Sequence, residues 1–494
     1  MSAISIAEHL RTYCKDVGLI QSDLFVAGEW RRALDAARFD VLDPADGTVL
    51  ASVANASADD ARTAIDAAHG ALGAWSALTG HARGIVMRRW YDLIRQHAGD
   101  LAALISAEGG KPYAEAQGEV AYGASFVEWF AEEARRVDGD VLQSPRGDQR
   151  ILVIRQPIGV CAAITPWNFP FAMITRKVAP ALAAGCAIVV KPAEQTPLTA
   201  LALAELARRA GVPAGVCNIV TADAQRSIEV GRVLTTDPRV HHVSFTGSTE
   251  VGRILLRQCA STVKKCAMEL GGHAPFIVFD DADLDAAVAG ALTGKYRNAG
   301  QACISPNRFF VQSGIYERFV AAVAEASTRL RVGRAFDDGV AIGPLIDSQA
   351  LAKVQRHVDD ATRQGATLAA GGKPVMGNFF EPTVLAGVTP AMQMFNEETF
   401  GPVIGIARFD TEEEVIAMAN HAEYGLAGYL YTRDISRMWR VGEALEFGML
   451  GINSSAISNE VAPFGGVKQS GMGREGSKYG IDEYLQMKYL CVGI

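Results

Sequence analysis

Apolar positions recur at helical spacing from residue 58 to 75 and again from 83 to 107, so the first part of the chain is expected to be mainly helical and to pack over another layer. After the turn signal Gly147-Asp148-Gln149 comes a short aliphatic run, 151–155, ahead of Pro157, expected as an edge or protruding strand. From Gly159 the pattern changes. Short apolar runs at 160–164, 187–190, 216–220 and 240–245 alternate with Ala- and Leu-rich stretches. That alternation predicts an α/β architecture, a parallel sheet covered by helices, with ligands beyond the carboxyl ends of the strands. A second α/β region is expected from about Gly271, with candidate strands at 275–279, 308–312, 403–409 and 428–431. No repeat or low-complexity segment interrupts the pattern.

Composition narrows the classes. A chain of 494 residues, 49% hydrophobic and 21% charged, can bury a large core and has the length of two or three domains. Its net charge of −8, with Lys and Arg scattered, argues against nucleic acid as a partner and for small molecules or further copies of the chain. Early acidic residues (Glu8, Asp16) and the lack of a long apolar run speak against a leader or a membrane helix, and a cytoplasmic location is expected. The eight cysteines include no C-x-x-C pair and no ligand-like Cys/His grouping, so neither a disulfide framework nor a metal site is expected.

The candidate chemistry lies at the ends of the predicted strands. The first ends in Thr165-Pro166-Trp167-Asn168-Phe169-Pro170, where the Asn168 amide is either a stiff structural turn or a donor for an oxyanion. The second ends in Lys191-Pro192-Ala193-Glu194. A carboxylate there accepts from ribose hydroxyls and repels a 2′-phosphate, unless it is only a solvated group at a helix start. The fourth leads through Phe245-Thr246-Gly247-Ser248 to Val251, a small-residue turn into a helix whose amides suit a pyrophosphate, though the dinucleotide glycine fingerprint is absent. Glu269, before Leu270-Gly271-Gly272, is an ordinary strand-end carboxylate or, in a cramped apolar place, a general base. Cys303, in the loop Asn298-Ala299-Gly300-Gln301-Ala302-Cys303, is a buried structural cysteine or an activated thiol. Glu397 to Pro402 and Pro463 to Gly466 are turn-rich loops that each mean little alone.

In this order the T-P-W-N-F-P, K-P-A-E, F-T-G-S, E-L-G-G, G-Q-A-C, E-E-T-F-G-P and P-F-G-G segments closely resemble the aldehyde dehydrogenase superfamily, from about Leu24 to Ile494. The resemblance implies Cys303 as nucleophile, Glu269 as general base, and Asn168 with the Cys303 N–H as oxyanion hole. It also implies cofactor contacts at Thr165, Pro166, Trp167, Lys191, Ala193 and Glu194 toward the adenosine half. Phe245, Gly247, Ser248 and Val251 fall near the pyrophosphate, with Leu270, Glu398 and Phe400 near the nicotinamide. NAD is expected from Glu194, with NADP as the alternative. Three parts follow: a cofactor domain (1–138 and 157–269), a catalytic domain (270–484) and an oligomerisation arm (139–156 and 485–494) that implies a dimer or tetramer.

Within the superfamily the chain looks most like succinate-semialdehyde dehydrogenases, on Ile174-Thr175-Arg176-Lys177, Tyr296-Arg297-Asn298, Ile457-Ser458-Asn459-Glu460 and the ending 473–484. Arg176, Arg297 and Ser458 would then hold the substrate's far carboxylate, as guanidinium groups pair well with carboxylates. Ala302 and Ser305 stand where many of those enzymes carry Thr and a second Cys, which excludes a disulfide switch within this loop. Cys303-Ile304-Ser305-Pro306 and Gly272-His273 also look like 2-oxoglutarate-semialdehyde dehydrogenases. Glutarate semialdehyde or a sulfonated aldehyde would satisfy the same arginines. A catalytically silent relative and a coenzyme A-acylating enzyme are the competing readings.

Overall fold

The computed structural model describes residues 8–494; residues 1–7 of the expected first segment lie outside the described residues. After a short helix, Glu8–Tyr13, and short strands ending at Ala54, four helices follow: α1 (Ala58–Ser76), α2 (Gly80–Gln96), α3 (Ala98–Gly109) and α4 (Tyr113–Glu133). The helical pattern over 83–107 is therefore two helices, parted at His97, which caps α2 and precedes α3.

The first sheet is built on β1 (Val160–Ile164), β2 (Ala187–Lys191), β3 (Cys217–Ile219), β4 (Val240–Thr246) and β5 (Lys265–Glu269), parallel in the spatial order β3-β2-β1-β4-β5. Successive side chains point to opposite faces, so Cys161 and Ala163 join one core with α2, α3 and α4, while Val160 and Ala162 join another with α1. Burial on both faces is why these strands read as unbroken apolar runs. The strand order reverses between β1 and β4, and a crevice opens there at the carboxyl ends. Helices α5 (Ala172–Ala184) and α6 (Thr249–Cys259) follow the turns on either side of it.

A second, seven-stranded sheet holds β6 (Ala274–Val278), β7 (Pro306–Gln312), β8 (Val403–Phe409) and β9 (Ala427–Tyr431), in the order β8-β7-β6-β9 at its centre. The chain does not stay with this sheet to its end. Gly471–Met472 pairs antiparallel with β5, and Ile481 and Tyr484 are buried in the first core, so the segment 471–484, expected with the second region, packs against the first. A three-stranded antiparallel sheet stands apart: Leu485–Gly493 pairs along its whole length with Gln149–Pro157, which also pairs Asp140–Leu142. The sequence reading missed the short strand Leu24–Val26 and the edge strands Glu29–Arg31, Thr367–Ala370 and Met449–Ile452.

Candidate active site

Two cavities meet at Cys303. The first, of about 300 Å³, lies at the β1/β4 crevice and brings together Pro166, Trp167, Asn168, Gly247, Ser248, Leu270, Glu398 and Phe400. The second, of about 250 Å³, is lined by Arg176, Arg297 and Ser458 with Tyr122, Phe169, Tyr429 and Phe464. Cys303 and Met173 are on the walls of both.

The first cavity follows from what ends each strand. After β4, Ser248 caps α6, its Oγ accepting from the Val251 N–H at 3.3 Å. Gly247 sits against the Phe245 ring, which a side chain there would strike. Trp167 and Phe400 meet edge to face at 5.7 Å between centroids, and Phe400 holds φ at 55°, a left-handed backbone that a bulky residue rarely adopts. Glu398 accepts from the Gly272 N–H at 3.4 Å, and burial pushes its carboxyl up to about 7. Thr165, Lys191, Ala193, Glu194, Phe245 and Val251 do not line this cavity. Lys191 Nζ lies 3.7 Å from the Glu194 carboxylate at the end of β2, and burial pulls its pKa down.

Around the sulfur, Asn168 donates through Nδ2 to the Gln301 carbonyl at 3.0 Å. The loop that presents Cys303 turns through three consecutive left-handed residues, Asn298 (φ 51°), Ala299 (φ 54°) and Gly300 (φ 76°). Gly272 presses so closely on the Cys303 carbonyl that a Cβ would come within 2.2 Å of it. Burial, with Glu398 and Glu269 adding to it against the pull of Arg176, pushes the thiol up to about 12. Glu269 is buried, and neither of its carboxylate oxygens has a hydrogen-bond partner among the described residues. Burial, and the nearby Glu475, hold it well above the usual carboxylate range; Arg176, Lys177 and Arg474 oppose this.

The arginines differ. Arg176 is 1% exposed and ion-paired to Glu475 at 2.6 Å, with Phe464 stacked at 3.9 Å, so it is an interior ion-pair residue whose edge reaches the cavity. Burial lowers its pKa, but Glu475, Tyr122, Glu269 and Cys303 together leave it raised. Lys177, on the same helix, also pairs with Glu475. Arg297 has no ion-pair partner among the described residues; its guanidinium lies 4.7 Å from the Phe169 ring and 5.9 Å from that of Tyr122. Ser458 and Tyr122 share a hydroxyl hydrogen bond on the same wall.

Sequence reasoning missed Thr246, Met173, Lys353 and Thr399 in the first cavity and Tyr122, Phe169 and Tyr429 in the second. Thr246 and Phe169 stand inside motifs already singled out. Tyr122 is on α4 and Lys353 on an amphipathic helix, where nothing local distinguishes them from packing or solvated residues.

A doubly wound sheet with a crevice at its switch point, joined to a second α/β unit that presents a cysteine at its mouth, is the build of an aldehyde-oxidising dehydrogenase. The chain belongs to the aldehyde dehydrogenase family, whose model matches residues 30–490, and it is an oxidoreductase enzyme of that family. It is 56% identical over 97% of its length to the succinate-semialdehyde dehydrogenase [NADP(+)] of Escherichia coli, 99% of which is covered. The glutarate-semialdehyde dehydrogenase of Pseudomonas putida KT2440 (97% of this chain, 99% of the relative) and the 3-sulfolactaldehyde dehydrogenase of Pseudomonas putida (97% and 98%) are each 55% identical to it. A solved structure of succinate-semialdehyde dehydrogenase from Burkholderia pseudomallei superimposes with a TM-score of 0.96 at 55% identity, covering 97% of this chain and all of that one (100%). No helix among the described residues is long and apolar enough to cross a membrane.

Proposed function

We propose that the enzyme oxidises a short aldehyde bearing a terminal anion, succinate semialdehyde foremost, to the acid through a thioester on Cys303. The observation that carries this reading is the sulfur at the junction of two cavities, one of nucleotide-binding character and one bearing the Arg297 cation, which has no ion-pair partner among the described residues. The relatives named above act, by their names, on succinate and glutarate semialdehydes and on a sulfonated aldehyde, three substrates with an anion at the far end.

The residues of the first cavity fit a nicotinamide dinucleotide. The helix start at Ser248 offers backbone donors to a pyrophosphate, Trp167 and Phe400 offer ring faces, and Thr246 Oγ1 is a buried polar atom without a hydrogen-bond partner among the described residues. Ser248, Glu398, Phe400 and Leu270 would hold it, with Glu194 beyond β2 favouring NAD over NADP; NADP stands as the alternative because one relative is named for it. When bound, the nicotinamide supplies a hydride acceptor.

Cys303 gives up its proton to water, and Sγ adds to the aldehyde carbon as the C=O π pair moves onto oxygen. The Asn168 amide and the Cys303 N–H hold the oxyanion that forms. Oxidation of that carbon leaves an acyl group on sulfur, and Glu269, once deprotonated, takes a proton from the water that attacks it, releasing the acid. Retention of Glu269 favours water over coenzyme A as the acceptor. Arg297, with the Arg176 edge and Ser458, binds the distal anion. The cofactor part comprises 1–138 and 157–269, the catalytic part 270–470, with 471–484 returning to the first sheet, and the arm 139–156 with 485–494 joins copies into a dimer or tetramer in the cytoplasm.

The test is kcat/KM with NAD across succinate, glutarate and 2-oxoglutarate semialdehydes, a sulfonated aldehyde, and neutral aldehydes of matching length. A preference for the anions of about tenfold or more, worth about 1.4 kcal/mol, is expected. Neutral aldehydes winning would overturn the anion reading while leaving the dehydrogenase intact.

A further inference from the structure

Helix α4, whose sequence signals packing alone, reaches into the active site with two carboxylates one turn apart. Glu119, fully buried, accepts from the Phe171 and Ala172 N–H groups at 2.9 and 3.2 Å, holding the start of α5 just after the Asn168 turn. Its other oxygen pairs with Lys111, equally buried, and Lys111 Nζ donates to the Asn168 carbonyl at 3.0 Å. Glu115, partly buried, accepts from the Asn298 N–H at 2.8 Å.

These contacts close a circuit. The Asn298 amide donates to the Asn168 carbonyl at 3.0 Å and to the Gln301 carbonyl at 3.2 Å, and the Asn168 amide donates to the same Gln301 carbonyl. Asn298 does this from a left-handed backbone, a conformation that persists only where the surroundings over-determine it. Lys111 and Asn298 thus fix the Asn168 turn, and Glu115 and Asn298 fix the loop that ends at Cys303.

We propose that Glu115, together with the Lys111–Glu119 pair, is a positioning residue for the reaction: it locks Asn298 so that the Asn168 amide and the Cys303 sulfur face one reacting carbon. Its function is to accept a hydrogen bond, since a neutral acceptor of the same shape would satisfy the Asn298 N–H. The inference rests on the roles given above to Cys303 and Asn168.

The experiment compares Glu115→Ala, Glu115→Gln and Asn298→Gly in the full chain. Asn298→Gly keeps the left-handed backbone accessible while deleting the amide that joins the two turns. Glu115→Ala and Asn298→Gly should lower kcat by about a hundredfold, the scale of a misplaced reacting group, with the KM for NAD unchanged. Glu115→Gln should restore most of kcat. In the two impaired variants alkylation of Cys303 by iodoacetamide should lose its wild-type pH profile, which a mere loss of stability would not produce. If Glu115→Ala does not fold, Asn298→Gly decides alone. Wild-type kcat in Asn298→Gly, or Glu115→Gln as impaired as Glu115→Ala, overturns the proposal. Cys303→Ala separates the two levels: its turnover would sink the nucleophile assignment, whereas a dead Cys303→Ala beside fully active Glu115→Ala and Asn298→Gly sinks the positioning alone.

Discussion

At the scale of single residues, the site stores its reactivity in groups that burial keeps neutral. The Cys303 thiol is pushed up to about 12, and Glu269 is held well above the usual carboxylate range. On the proposed mechanism each acts only after losing its proton, so raising the pH increases the fraction of active form for both, and activity should climb from neutral into the alkaline range. Glu475 adds to the rise at Glu269 while Arg176, Lys177 and Arg474 restrain it. Glu269→Gln cannot take the proton from water, so kcat should drop by about 10²–10⁴-fold, while one equivalent of NADH still forms per active site as the thioester accumulates. Rapid-mixing absorbance at the NADH band reads both quantities. Full steady-state turnover in that variant would remove Glu269 from deacylation.

At the scale of elements, the strand ends of the first sheet frame the crevice, and on the proposed reading the end of β2 is the one that discriminates cofactors. Glu194 is about one third exposed, with 30% of its side chain accessible, and pairs with a lysine at the long distance of 3.7 Å, so its charge remains available to a ribose. A 2′-phosphate placed near it meets like charge. Glu194→Ser should therefore raise kcat/KM for NADP by about tenfold or more relative to NAD, a shift of about 1.4 kcal/mol, with the aldehyde preference unchanged. An unaltered ratio would assign the choice to another element. The second sheet contributes differently: β6 and β7 flank the cysteine loop, and Gly272 at the start of β6 admits the Cys303 carbonyl where no side chain would fit.

At the scale of the whole molecule, the three-stranded arm has no counterpart in the cores. From Gln486 to Gly493 every residue of its last strand is exposed, Met487 at 77% and Tyr489 at 69%, and Val141 on the opposite edge is 77% exposed. Long apolar strand edges left open invite pairing with another chain. Deleting 487–494 should lower the oligomeric state seen by size-exclusion chromatography with light scattering, while the cavities at Cys303, built without those residues, keep their turnover per subunit. A full-length protein that is monomeric at micromolar concentration would remove the arm's assigned role.

Much of this was readable from the chain. The alternation of apolar runs with helical stretches identifies the parallel sheet, because strands buried on both faces need continuous apolar sequence whatever surrounds them, and the runs at 160–164 and 403–409 fall on strands of those same bounds. Strand-end motifs mark Asn168, Ser248 and Cys303 because tight turns restrict which residues fit, and that restriction is local. The sequence by itself thus determined the fold class, the family and the positions around which the cavities form. Only the tertiary structure decided which charges are free. Arg176 and Arg297 look alike in the sequence, but a carboxylate nearly 300 residues away in the chain pairs with the first, whereas the second forms no ion pair among the described residues. The same is true of α4: its apolar spacing says only that it packs, and Tyr122, Glu115 and Glu119 become part of the site because folding sets that helix against the Asn168 turn and the cysteine loop. Local sequence restricts backbone shape, whereas charge pairing and burial depend on neighbours that only the folded chain brings together.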